Sequence, residues 1–279
     1  MAITAKQVNE LRQATGAGMM DCKKALVEAE GDIEKAIKIL REKGQKVSSK
    51  RADREANEGA VFIAANEDNT YAALIELNCE TDFVARNEDF QKLGQEIAAV
   101  ALADRPADLD GLKGLSIAEG QIGEALTNAM GKIGEKIDLS KYETVSGDSV
   151  VTYIHPGARI GVAVAFANVD GGDVPAVGKD VAMQIAAMNP VSISKDDVSE
   201  EVKEREMEIG RNQARNEGKP ENIIDKIAFG KLNKFFKENT LLSQAFVKDT
   251  SKNVGKHITE HLGKDATVSA FKRVQLGAN

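Results

Sequence analysis

The sequence predicts an α+β protein built from several modules: a small three-helix bundle, two related strand–strand–helix core subdomains, and an inserted antiparallel helical hairpin. Three observations carry this prediction. Apolar residues recur at helical spacing through residues 1–44, strand-length apolar runs alternate with helical ones from 59 to 190, and residues 199–238 form a long charged stretch broken by Gly218-Lys219-Pro220. At 279 residues the chain exceeds one average domain.

In residues 1–44, Thr4 with Gln7 makes a capping-box pattern, Val8, Leu11 and Ala14 share a face, and Thr15-Gly16-Ala17-Gly18 stops the first helix. A second helix is expected over 20–30, closed by Gly31. Asp32 caps a third, whose Ile33, Ala36, Ile37 and Leu40 stripe ends at Gly44. A bundle this small lies near the lower limit for folding alone and suits partner binding. Met19 and Met20, unbranched and polarizable beside a glycine turn, read as an adaptable contact surface; the alternative is that they fill the bundle core. Residues 45–58 lose apolar periodicity and gain Lys46, Lys50, Arg51, Asp53, Arg54 and Glu55, the pattern of a solvated linker that lets the bundle reorient.

The first core unit, 59–145, opens with a hairpin of strands 61–65 and 71–78 around Asn66-Glu67-Asp68-Asn69. A loop follows, in which Asp82, a charged acceptor, stands beside Phe83, a large ring. A solvated connection needs neither in that order, so the loop invites a partner; the alternative is that the ring tucks under the sheet. Asn87 then caps a helix to about residue 103, 105–114 reads as loop, Ser116 with Glu119 opens a helix to about 136, and 139–145 is a strand.

The second core unit, 146–190 and 239–279, echoes the first. Strands 150–155 and 159–168 precede a helix in which Gly178, Ala182 and Pro190 can be laid on Gly94, Ala98 and Pro106. Between the matched asparagine and glycine, the first copy has six more residues than the second, and the surplus coincides with 81–86. Packing common to both copies does not account for it. The segment 191–238 between these parts is the hairpin, with Ser199 capping its first arm and Val202, Met207 and Ile209 facing Ile223, Ile224, Ile227 and Leu232. Thr250 is expected to cap a last helix to 262, before a closing strand over 266–276.

A net charge of -7 argues against nonspecific phosphate binding as the main task, because such binding needs a basic face to displace counterions. Cys22 and Cys79 are expected reduced and buried, and with only His155, His257 and His261 no zinc-ligand spacing exists. No cofactor and no metal are expected. No leader pattern and no run of about 18 apolar residues is present, so the expected place is the cytoplasm, with no membrane partner.

Residues 76–86, Glu-Leu-Asn-Cys-Glu-Thr-Asp-Phe-Val-Ala-Arg, resemble a signature of the elongation factor Ts family, and residues 11–26 resemble its other signature. The resemblance implies a guanine-nucleotide exchange factor of translation elongation, without covalent chemistry of its own. Its partner is elongation factor Tu, bound both with GDP and nucleotide-free, and no direct nucleic-acid contact is implied. Thr81, Asp82, Phe83 and Val84 are assigned by it to Mg²⁺ displacement. The bundle is of the ubiquitin-associated type, with Arg12, Met19 and Met20 as partner contacts, and the hairpin is a coiled-coil-like arm associated with homodimers in some members. A further C-terminal helical module that many members carry is not expected here. His155, in Tyr-Ile-His-Pro-Gly-Ala-Arg, resembles a further family stretch, with Pro156 interposed and a structural role as the alternative. Against this stand an enzyme using Asp82 with His155 as acid and base, a nucleic-acid adaptor using Lys46, Lys50, Arg51 and Arg54, and a scaffold that binds without exchange.

Overall fold

The computed structural model describes residues 3–51, 53–118 and 120–278. Helices α1 (Ala5–Thr15), α2 (Met19–Glu28) and α3 (Ile33–Arg51) lead into strands β1 (Glu58–Ala65) and β2 (Tyr71–Cys79), then α4 (Asp82–Ala85), α5 (Glu88–Asp104) and α6 (Leu109–Gly114). Two-residue strands β3 (Ser116–Ile117) and β4 (Gly120–Gln121) precede α7 (Ile122–Ile133), β5 (Ile137–Ser146), β6 (Ser149–Ile154), β7 (Ile160–Ala167) and α8 (Val174–Met188). The long helices α9 (Glu200–Asn216) and α10 (Glu221–Asn239) are followed by β8 (Ala245–Phe246), β9 (Asp249–Asn253), α11 (Val254–Leu262) and β10 (Thr267–Gln275). The fold is mixed α+β.

Two antiparallel three-stranded sheets, ordered β1-β2-β5 and β10-β7-β6, lie face to face. Val61, Ala72, Leu74 and Val145 of the first meet Val150, Ala163, Ala165 and Val274 of the second. The outer face of the first sheet is covered by α5, α6 and α7 around Phe90, Ile97, Leu112 and Ile122, and that of the second by α8 and α11 around Val181, Ile185 and Ile258. Both middle strands are therefore covered on two sides, which is why β2 and β7 are apolar almost without alternation. Gly161 lets the sheets approach: a Cβ there would stand 2.5 Å from Val61 Cγ1.

The matched positions of the two strand–helix stretches occupy like places. Gly94 of α5 lies under the Phe62 ring and Gly178 of α8 under Val151, each where a helix crosses an edge strand. Each helix ends on a left-handed residue, Arg105 at φ 47° and Asn189 at φ 44°, followed by proline. Arg105 is held there by its guanidinium, 4.2 Å from the centre of the Tyr71 ring.

The Thr4–Gln7 capping box forms as expected, and α1 stops at Gly16 in the left-handed region. The bundle core is Val8, Leu11, Cys22, Leu26 and Ala36. Other boundaries differ from expectation. α3 does not end at Gly44 but runs on into the supposed linker, because Gly44 is a helix crossing: a Cβ on Gly131 of α7 would come within 2.6 Å of Gly44 Cα. The bundle is thus packed against the first sheet's helices. Residues 109–114 are helical, capped by Asp108 and held by buried Leu112. Ser116 pairs in a short ladder with Gln121, and α7 starts only at Ile122; Glu119, the other half of the supposed capping box, lies outside the described residues. Asn253, not Thr250, caps α11, since Thr250 lies within β9.

Ser199 caps α9 as expected. The arms close on small residues, with Gly210 facing Ala228, and Ala214, Ile224 and Leu232 are buried along the same arms. A Cβ on Gly210 would lie 2.9 Å from Ala228 Cα, and this tight approach turns Ile209 and Ile223 outward to solvent instead of into the seam.

The two glycine environments predict opposite responses to one methyl group. Gly131→Ala should destabilise the chain by about 1–3 kcal/mol through overpacking at the α3–α7 crossing. Gly230→Ala, with nothing within 4 Å of the added carbon, should stabilise α10 by about 0.5–1 kcal/mol. Urea midpoints at constant slope check both, and an unmoved midpoint for Gly131→Ala contradicts the crossing.

Candidate functional site

The candidate site begins where β2 leaves the core. Cys79, paired with Ile137 on β5, donates through Sγ to the Thr81 carbonyl at 3.1 Å. Glu80 accepts from the Arg51 guanidinium, from Arg54 at 3.1 Å and from the Lys136 N–H at 2.6 Å. Burial pushes the Glu80 carboxyl up, but the hydrogen bonds from Lys136, Arg51 and Arg54 outweigh it and hold the group below the usual carboxylate range. Arg51 and Arg54, two members of the run readable as a nucleic-acid patch, are thus both paired with Glu80, Arg51 half-buried and Arg54 exposed.

The stretch 81–86 is a capped helical turn instead of an irregular loop. Thr81 is the N-cap of α4, its Oγ1 accepting from the Val84 N–H at 3.4 Å. Thr81 in turn donates its N–H to Glu135 Oε2 at 3.0 Å and its hydroxyl to Glu135 Oε1 at 2.8 Å. At the other end, Gln91 Nε2 donates to the Ala85 carbonyl at 2.6 Å, and Asn87 caps α5. Ala85 is buried and Val84 packs on the same apolar cluster. Phe83 points away, 83% exposed. The ring does not tuck under the sheet. Asp82 also faces solvent, paired with Arg86 at 3.0 Å.

The bundle contributes a second wall. Arg12 and Met19 line a cleft of about 440 Å³ together with Asn87 and Asp89 at the start of α5 and Lys132 of α7. Lys132 bonds Asp89 at 2.8 Å and, by that hydrogen bond first, holds the Asp89 carboxyl below its ordinary range. Met19 and Met20 are 56% and 62% exposed, so neither fills the bundle core. The cleft does not include Met20.

His155 lies in the turn joining β6 to β7, exposed, with Nδ1 2.9 Å from the Tyr153 hydroxyl. Pro156 is accommodated because Gly157 and Ala158 both take positive φ. The Ala158 carbonyl accepts from the Val61 N–H at 2.8 Å, and Ala158 packs on the cluster that receives Val84 and Ala85. The turn therefore reaches the first sheet. No ion pair joins Asp82 to His155 among the described residues, since each has another partner, so the acid and base pair finds no support. Among the described residues no His, Cys, Asp and Glu group is suited to a metal, and no helix is long and apolar enough to cross a membrane. Cys22 and Cys79 are both free and buried. Sequence reasoning missed Glu135, which lies 54 residues from Thr81 and has only the neighbouring Gly134 helix stop to announce a turn.

A family model described as Elongation factor TS matches residues 80–278. The chain is also similar over its length to proteins named Elongation factor Ts. That of Amoebophilus asiaticus is 52% identical over 278 residues, covering 100% of both chains. That of Cytophaga hutchinsonii is 50% identical, covering 98% of this chain and 99% of its own, and that of Chloroherpeton thalassium 44% identical, covering 99% and 98%.

The thiol at the root of the turn gives a test of its burial. Burial, and then the charge of Glu135, push the Cys79 thiol up from 9.0 to about 12. A raised value means that the folded state favours the neutral thiol: this contribution is complete below pH 9 and is lost as the pH rises from 9 towards about 12. In a Cys22→Ser background, alkylation of Cys79 by iodoacetamide at pH 8 should be about a hundredfold slower than in urea. Alkylation at the rate of an unstructured thiol contradicts the placement.

Proposed function

The chain belongs to the elongation factor Ts family and acts in translation elongation, and on that premise we propose that it is the guanine-nucleotide exchange factor of elongation factor Tu. It binds the GDP-bound form, displaces Mg²⁺, promotes GDP release and leaves a nucleotide-free complex that GTP can enter. It works in the cytoplasm and makes or breaks no covalent bond.

The observation that carries this reading is Phe83, a large ring left 83% exposed on a turn whose other apolar residues are buried or half-buried. A nucleotide leaves a G protein slowly because Mg²⁺, the phosphate loop and the protein stabilise the same bound state. A factor that binds the empty form better than the loaded form lowers nucleotide affinity by the same ratio. Inserting the Phe83 ring supplies such a preference, at about 2 kcal/mol or more of burial realised only when the partner's side chains give way. Asp82 beside it brings a carboxylate to the region of the Mg²⁺ ion, and Thr81 and Val84 hold the turn from which both project. Arg12, Met19 and Met20 dock the partner next to the same turn. His155, on a turn tied to β1, is assigned to the contact made by the second core unit.

The chain divides in this reading into a ubiquitin-associated-like bundle (1–44), a connecting segment (45–58), core subdomains 59–145 and 146–190 with 239–279, and a coiled-coil-like hairpin (191–238). Ile209, Ile223 and Phe229, exposed on that hairpin, support its use in a homodimer.

Stopped-flow release of a fluorescent GDP from elongation factor Tu, with excess unlabelled GDP, tests the proposal. The chain should accelerate release, Phe83→Ala should lower that acceleration about tenfold or more, and Asp82→Ala should lower it while a complex still forms. A complex with no acceleration would mean a scaffold and sink the reading.

A further inference from the structure

We propose that Glu135 is a positioning residue for nucleotide release: its carboxylate, bonded to both the N–H and the hydroxyl of Thr81, holds the 82–85 turn in the orientation that presents Phe83. This rests on the exchange reading above.

A helix of four residues cannot hold itself, because fixing its dihedrals costs more than its own hydrogen bonds return. The exposed ring of Phe83 adds no restraint. Order must come from outside the turn. Beyond the packing of Val84 and Ala85 on the core, three side chains among the described residues reach its backbone: Cys79, a weak donor, at the Thr81 carbonyl; Gln91 at the Ala85 carbonyl; and Glu135 at the N-terminal end. Of these only Glu135 is charged, and it takes both donors of one residue. A hydroxyl has one proton, so committing that of Thr81 to Glu135 leaves its lone pairs for the Val84 N–H. Glu135 thereby decides the role of the capping hydroxyl as well as the direction of the Thr81 peptide.

Glu135 is itself fixed. It follows Gly134, the left-handed stop of α7, and its neighbour Lys136 donates its backbone N–H to Glu80. The two segments clasp reciprocally, Glu80 accepting from Lys136 and Glu135 accepting from Thr81. Ordering the turn before the partner arrives removes that cost from the step in which the ring is inserted.

The test measures, on the full chain, amide hydrogen exchange at Val84 and Ala85 and GDP release from elongation factor Tu, for the parent, Glu135→Ala, Glu135→Gln and Phe83→Ala. Glu135→Ala should speed exchange at both amides about tenfold while leaving β2 and β5 protected, and lower the maximal release rate about tenfold, the factor that 1.4 kcal/mol represents. The half-saturating concentration should stay within about twofold, whereas simple partial unfolding would raise it at constant maximal rate. Glu135→Gln should fall between, because its carbonyl oxygen still accepts from the Thr81 N–H. In a Phe83→Ala background Glu135→Ala should cost nothing further. Parental protection and release in Glu135→Ala, or a cost undiminished without Phe83, overturns the proposal. Failure of the parent to accelerate release overturns the exchange reading instead, and Val84 and Ala85 protection still decides whether Glu135 orders the turn.

Discussion

Covering β2 on both faces is the constraint from which the rest of the architecture follows. One face meets the second sheet through Ala72 and Leu74, and the other meets α5, α6 and α7 through Ala73, Ile75 and Leu77. A strand enclosed in this way has almost no freedom at its end, because protein interiors pack closely and shift little without cost. Cys79, the last residue of β2, is wholly buried, and the candidate turn starts two residues later. The turn inherits the rigidity of the core.

Polar groups then carry that rigidity outward. Glu80 gathers Arg51, Arg54 and the Lys136 N–H, so one carboxylate ties the end of α3, the chain after it and the approach to β5. Glu135 returns the bond from the opposite side. These are charge-assisted bonds in a half-buried setting, stronger and more directional than exposed pairs such as Asp82–Arg86. The result is an exposed ring on a fixed support, and this combination suits a residue that must displace side chains of a partner in the exchange proposed here.

Much of this was legible in the sequence where the signal is local. The Thr4–Gln7 box, the stop at Gly16, the Asn87 and Ser199 caps and both hairpins are decided by residues a few positions apart, and pattern reasoning finds them. The six surplus residues around 81–86 likewise marked the turn that leaves Phe83 exposed. What could not be read depends on distant parts of the chain. Gly44 looked like a helix stop because a glycine at a helix end and a glycine at a helix crossing are alike until Gly131 is placed against it. Ile209 and Ile223 looked like seam residues because hydrophobicity is visible in sequence and the close approach at Gly210 is not. Glu135 gave no sign of its role, since nothing local connects it with Thr81.

Exchange by a rigidly presented wedge is at bottom a statement about linked equilibria, and equilibrium binding tests it most directly. The affinity of this chain for elongation factor Tu would be measured by calorimetry with GDP bound and with no nucleotide, beside the affinity of GDP for elongation factor Tu with and without the chain. The account predicts tighter binding to the empty form, by the same factor by which the chain weakens GDP, and a factor that shrinks in Phe83→Ala. Equal affinity for the loaded and empty forms would contradict it.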